Sequence, residues 1–256
     1  MKEKIKNILS EMEAAHHVKI IYACEAGSRA WGTASEDSDY DVRFIYIRPK
    51  NWYLSIEQKR EVLEIPVTKE LDMVGWDLRK ALVLLNKSNP TLLEWLQSSI
   101  VYYEKDAIVN ELRLLSRSTF SAKTCLYHYL NMAKRNAKGA FNSPNANVKL
   151  VLNVVKPLLA CSWIEKYHSI PPNELQHFID GVLTPSPLRS EIDELLANKL
   201  KKVEEVKREE LIATQEYVAE RMVQLSEYVK ALEEDRENYT EALDQFFQST
   251  LDRVWD

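Results

Sequence analysis

The chain has 256 residues, of which 45% are hydrophobic and 29% charged, with a formal net charge of −5. That balance excludes a chain dominated by disorder and fits one large or two ordinary domains. The most apolar run, LVLNVVKPLLACSWI, is interrupted by Asn153, Lys156 and Pro157 and falls short of the roughly 20 residues that a membrane span needs, so no membrane partner is expected.

The opening MKEKIKNILSEMEAAHH places Ile5, Ile8, Leu9 and Met12 at helical spacing and has no apolar signal core, so an amphipathic helix and a cytoplasmic location are expected. VKIIYACEA then reads as a strand. YDVRFIYI reads as the next, alternating Val42, Phe44 and Tyr46 against Asp41, Arg43, Ile45 and Ile47. A third strand is expected within EVLEIPV and a fourth within KELDMVGW. The period turns helical at DLRKALVLLNKS, with Asp77 placed as an N-cap, and a helix restarts after Pro90.

Beyond about residue 105 no strand is expected, and successive helices fill the remainder, separated by the loops FNSPNAN, HSIPPNE and LTPSPLR. The fold class is therefore α+β. An α/β domain with a small mixed sheet and flanking helices spans residues 1–105, and an all-α domain spans 106–256. Cys24, Cys125 and Cys161 are far apart with no C-x-x-C pair, which predicts buried thiols.

Charge is distributed unevenly. No Asp or Glu occurs between Leu112 and Ile164, while Arg113, Arg117, Lys123, Lys134, Arg135, Lys138, Lys149 and Lys156 all fall there. Such a segment is a basic surface suited to phosphates, and Tyr127, His128 and Tyr129 beside it are either base-stacking groups or core aromatics. The acidic run LEEDRENYTEALD near the C-terminus reads as a solvated helix face. His16 and His17 are adjacent without a third ligand and read as structural.

The densest chemistry lies in GSRAWGTASEDSDYD, Gly27 to Asp41. Asp39 and Asp41 are spaced to share one face of a strand, where two like charges repel unless a cation lies between them. That arrangement suits magnesium or manganese, which take oxygen ligands. Gly27 and Ser28, at the end of the first strand and the start of a short helix, suit phosphate groups because glycine has no Cβ to block close approach. A third acid would complete a metal clamp, and Asp72 and Asp77 are both candidates, with Glu70 on the face of Asp72. Arg29 and Arg43 flank the acids and are able to neutralise phosphate or to form ion pairs. Trp31 either stacks on a base or packs the loop, and Lys149 with Asn153, one helical turn apart, could reach a triphosphate.

The stretch matches G-S-x-x-x-G-x-x-x-x-x-S-D-x-D and so resembles the DNA polymerase beta-like nucleotidyltransferase superfamily. LDMVGWDLRKALVLLNKSNPTLLEWLQS and KPLLACSWIEKY are similar to its YcgL-type branch, described as an RNA repair pathway polymerase beta family. The resemblance implies a polymerase beta-like N-terminal domain in which Gly27 and Ser28 hold the phosphates of an NTP such as ATP, and Arg29, Ser38 and Lys149 are expected to join them in binding it. It further implies that Asp39, Asp41 and Asp72 are catalytic and hold the divalent metal. The expected reaction moves a nucleoside monophosphate from an NTP to a hydroxyl with release of pyrophosphate. RNA is the expected acceptor, through Lys134, Arg135 and Lys138. Transfer to a protein side chain or small molecule, or a non-catalytic nucleotide- or nucleic-acid-binding module, are the alternatives.

Overall fold

The structure, a computed structural model, describes residues 1–65, 68, 70–233 and 237–256. Parts of the expected third and fourth strand segments (Pro66, Val67 and Lys69) and of the acidic run (residues 234–236) lie outside the described residues. By contacts the chain divides into two units. The first comprises Met1–Ala30, Asp39–Phe120 and Arg236–Asp256, and the second comprises Trp31–Ser38 and Ser121–Asp235. This division differs from a single cut at residue 105, because the first unit also takes in α6 (Asp106–Ser118) and α12 (Thr240–Trp255).

In the first unit α1 (Lys2–His16) buries Ile5, Leu9 and Met12 and ends where His17 turns left-handed, with φ of 51°. A five-stranded sheet follows, in the order β3 (Val62–Ile65), β4 (Leu71–Asp77), β2 (Tyr40–Ile47), β1 (Lys19–Glu25) and β5 (Val101–Glu104). The β2–β4 pair is parallel and the other pairs are antiparallel, so the sheet is mixed. The stripe from α1 packs with Val42, Phe44, Tyr46, Met73 and Tyr102. Ile45 and Ile47 are also fully buried, so the central strand β2 is covered on both faces along its second half. Gly75 lies opposite Phe44 on β2, and a Cβ there would fall 2.1 Å from the Phe44 ring.

α4 (Leu78–Leu85) starts at the expected Asp77 cap, and α5 (Pro90–Leu96) is capped by Asn89. Between β1 and β2 lies the single turn α2 (Gly27–Ala30), and α3 (Lys50–Tyr53) follows β2. The sequence reading did not name β5, a four-residue edge strand too short to show a period.

The second unit is built from α7 (Ala122–Ala140), α8 (Val148–Tyr167), α9 (Leu175–Val182), α10 (Pro187–Leu200) and α11 (Ile212–Ala231). The expectation of no strand past residue 105 requires correction, because β6 (Asn145–Asn147) pairs with β7 (Glu205–Lys207). Each has only three residues, mostly polar, and no alternation could announce them. α8 contains Pro157, which has no N–H to donate to the Asn153 carbonyl one turn back. The side chain of Asn136 on α7 donates to that carbonyl instead, at 2.8 Å, so the helix continues without an orphaned acceptor. All three cysteines are buried thiols outside any disulfide, and among the described residues no helix is long and apolar enough to cross a membrane.

Candidate active site

β1 runs buried to Glu25, and the chain turns at Gly27 with φ of 58°. A Cβ at Gly27 would lie 2.0 Å from Asp41 Oδ2. Glycine is therefore required both by the left-handed backbone and by the Asp41 carboxylate packed against it. The Ala26 N–H donates to the Asp41 carbonyl at 2.8 Å, which ties the turn to the start of β2.

Parallel pairing sets Asp41 opposite Asp72. Arg43, two residues along β2, shares the face of Asp41 because strand side chains alternate. Its Nη2 donates to Asp41 Oδ1 at 3.1 Å and to Asp72 Oδ2 at 2.8 Å, and its Nη1 donates to the carbonyls of Val42 and Asp72. The carboxylate side chains are 31% and 30% exposed against 18% for Arg43, so the pair faces solvent while the cation lies deeper.

Glu25 supports this arrangement from below. Fully buried, it accepts the Asp41 N–H on Oε1 at 2.8 Å and the Tyr102 hydroxyl on Oε2. Burial raises its pKa, against the hydrogen bonds from Tyr102 and Asp41 that favour the charged form. Sequence reasoning missed Glu25. The signal was available, as an acid that closes β1 directly after the buried run Ile20 to Cys24.

Of the two candidates for the third acid, Asp72 lies beside Asp41, while Asp77 is at the other end of β4, about 17 Å away at the rise of a strand. Asp77 is buried; its Oδ1 accepts the Arg79 N–H at 2.9 Å and its Oδ2 accepts the Tyr53 hydroxyl at 2.8 Å. Asp39 precedes β2 with an exposed side chain. Its carbonyl accepts from Arg29 Nε at 3.3 Å, and the Arg29 guanidinium stacks 3.9 Å over the Tyr40 ring. Among the described residues no group of three His, Cys, Asp or Glu side chains stands close enough to hold a metal ion, so Asp39 is not gathered with Asp41 and Asp72. What the fold does gather is two carboxylates on one cation. Both donors are carboxylate oxygens, the ligand class that a hard divalent ion takes.

The other expected residues fall in the second unit. Ser38 closes a turn, with its Oγ accepting the Ser35 N–H at 2.9 Å. Lys149 is exposed in the first turn of α8. Lys134, Arg135 and Lys138 are exposed along α7, and Lys134 Nζ donates to Ser226 Oγ at 2.8 Å. The aromatic run beside them divides, with Tyr127 exposed and Tyr129 in the core. In the first unit, His17 terminates α1 and its ring lies 5.3 Å from that of Trp255, a structural role.

Residues 1–249 match the RNA repair pathway DNA polymerase beta family, RlaP. The chain belongs to that family. It is 47% identical over 199 residues to the uncharacterized protein YcgL of Bacillus subtilis (strain 168), an alignment that covers 78% of this chain and 76% of the relative. A crystal structure of a nucleotidyltransferase-like protein from Exiguobacterium sibiricum 255-15 aligns with 12% identity and a TM-score of 0.33, covering 100% of this chain and 81% of that one. The acid pair, the Gly27 turn and the α+β architecture thus occur in a chain of the polymerase beta family.

Proposed function

We propose that the chain is a nucleotidyltransferase that moves a nucleoside monophosphate from an NTP to a hydroxyl, releasing pyrophosphate, with an RNA end as acceptor. The observation that carries this reading is the convergence of Asp41 and Asp72 on one cation, beside the Gly27 turn of the full signature, in a chain matched to the family over 1–249.

A magnesium or manganese ion held by Asp41 and Asp72, with Asp39 as the further acid of the signature, would polarise phosphate oxygens and offset the charge of the leaving pyrophosphate. The chain's own residues do the rest. Gly27 and Ser28 bind phosphate. Arg29, pinned over Tyr40, orients the loop that carries Asp39. Glu25 fixes the Asp41 backbone through the Asp41 N–H. Arg43 holds Asp41 and Asp72 together before the substrate arrives, and the Asp72 carboxylate receives the proton of the incoming hydroxyl. In the second unit, Lys134, Arg135 and Lys138 follow the acceptor's phosphates.

The test is to incubate the purified protein with each labelled NTP, Mg²⁺ or Mn²⁺, and RNA, DNA and cell protein in turn. Label on RNA with stoichiometric pyrophosphate supports the proposal. Label only on protein overturns the acceptor, and no label on any acceptor overturns the transfer.

A further inference from the structure

Asp72, Val74 and Trp76 alternate along β4 and share one face of the sheet, and all three stay partly exposed while their neighbours on the other face are buried. β3 continues this strip, with Glu64 paired beside Val74 and Val62 beside Trp76. On the other side of β4 the same face closes beyond Arg43, because Ile45, opposite Trp76, and Tyr22, opposite Ile45, are both fully buried. A partly exposed strip therefore runs along β4 and β3, with Asp72 at one end and Trp76 at the other, about 13 Å apart at the rise of a strand.

Trp76 has the build of a platform. Its ring stacks on that of the buried Trp95 in α5, with centroids 3.9 Å apart and planes at 30°, so the indole is fixed before any ligand arrives. Lys80, in the first turn of α4, holds its ammonium 5.9 Å from the Trp76 centroid. The acid on the strip, Glu64, is paired with Arg60 at 2.8 Å, which offsets its charge. A fixed aromatic ring with a cation beside it matches an unpaired nucleobase and its phosphate.

Sheet order separates the two substrates. The Gly27 turn leaves β1, and β1 and β4 flank β2 on opposite sides. The strip thus leads from Asp72, the acid that takes the proton of the hydroxyl, and lies across β2 from the turn that binds the NTP phosphates. Resting on the transferase reading above, we propose that it binds the unpaired end of the acceptor RNA. The terminal hydroxyl lies at Asp72, a base upstream of it stacks on Trp76, and Lys80 meets a phosphate beside that base. Stacked nucleotides repeat at about 3.4 Å along a strand, so about four of them span the distance. A blunt duplex keeps its end bases paired and has none to place on the indole.

The experiment is fluorescence anisotropy of a dye-labelled, single-stranded RNA hexamer titrated with the full chain in EDTA and without NTP. The proteins are the wild type, Trp76→Leu, Trp76→Phe and Lys80→Gln, with melting temperatures measured alongside. Trp76→Leu should weaken hexamer binding at least about fivefold while leaving its salt dependence unchanged, and Trp76→Phe, which keeps a ring, should bind within about threefold of wild type. Lys80→Gln should lower the slope of log affinity against log salt by about 0.7. A short blunt RNA duplex should bind the wild type and Trp76→Leu alike. If Trp76→Leu melts below the assay temperature, Lys80→Gln, which removes only a charge, decides by the slope. Unchanged hexamer binding in Trp76→Leu, an equal loss on the duplex, or an unaltered slope in Lys80→Gln overturns the strip and leaves the transfer reaction standing. Absence of hexamer binding to the wild type removes RNA as the acceptor, and the strip's occupant with it.

Discussion

The two ends of β4 carry one aspartate each, and the fold treats them in opposite ways. Asp72 stands at the end where β4 runs beside the start of β2, partly exposed, sharing the Arg43 guanidinium with Asp41. Asp77 ends the strand fully buried, with both oxygens engaged by the Arg79 N–H and the Tyr53 hydroxyl. Residue type and strand are the same for both, so the difference comes from what the neighbouring elements present. An acid that faces solvent beside a second acid is available for chemistry, and an acid sealed at a helix N-terminus is committed to stability.

The sharpest way to break this contrast is to remove one acid at a time. Asp72→Asn or Asp41→Asn should lower transfer by at least about a hundredfold, equivalent to roughly 2.7 kcal/mol in the barrier, while the melting temperature changes little. Asp77→Asn should leave transfer within about threefold of wild type. Initial rates of labelled NMP incorporation below the melting range would check both, and equal losses for Asp72→Asn and Asp77→Asn would erase the distinction.

Arg43→Gln comes next. Without the guanidinium, Asp41 and Asp72 are left facing each other, so the metal-free protein should lose about 1–3 kcal/mol. Affinity for Mn²⁺, read by paramagnetic relaxation, should rise because no internal cation competes for the carboxylates. Weaker Mn²⁺ binding in this variant would mean that Arg43 supports the ion rather than stands in for it.

Stability against pH separates the two ends further. Burial pushes the Asp77 carboxyl up to about 6, from an ordinary 3.8, with the Tyr53 and Arg79 hydrogen bonds opposing the shift. The folded chain therefore retains a proton that the unfolded chain releases. The stability from this group is complete below pH 3.8 and is lost as the pH rises through about 6. Denaturant midpoints between pH 4 and 7 should show that decline in the wild type, by up to about 3 kcal/mol, and a flatter profile in Asp77→Asn, whose side chain still accepts the Arg79 N–H. Asp72→Asn should keep the wild-type decline.

The smallest expected effect concerns the exposed cations of α7. Replacing Lys134, Arg135 and Lys138 together with Ala should flatten the salt dependence of single-stranded RNA binding by about 2 units of log affinity against log salt. ATP binding should not change. An unaltered slope would take the acceptor away from α7.

Much of the architecture was legible in the chain. Helical spacing marked α1 through Ile5, Leu9 and Met12, Asp77 marked the start of α4, and the Gly-Ser turn with Asp-x-Asp marked the loop between β1 and β2. These features depend on neighbours within a few residues, and local periodicity and capping chemistry record them directly. β5, β6 and β7 were not legible, because they draw their hydrogen bonds from partners distant in sequence and, unlike β3 with its apolar Val62, Leu63 and Ile65, carry no local run that marks a strand.

The choice between Asp72 and Asp77 likewise belonged to tertiary structure. Both stand on the same short strand, and only the parallel register of β2 with β4 brings Asp72 opposite Asp41 and sets Arg43 between them. The same holds for Gly27, whose missing Cβ makes room for the Asp41 carboxylate rather than only for a ligand. Sequence alone determined which residue types were present and which could share a face. Which charges meet, and which are sealed from water, was decided by strand pairing and helix packing, because Coulomb and desolvation energies depend on distances that chain order does not encode.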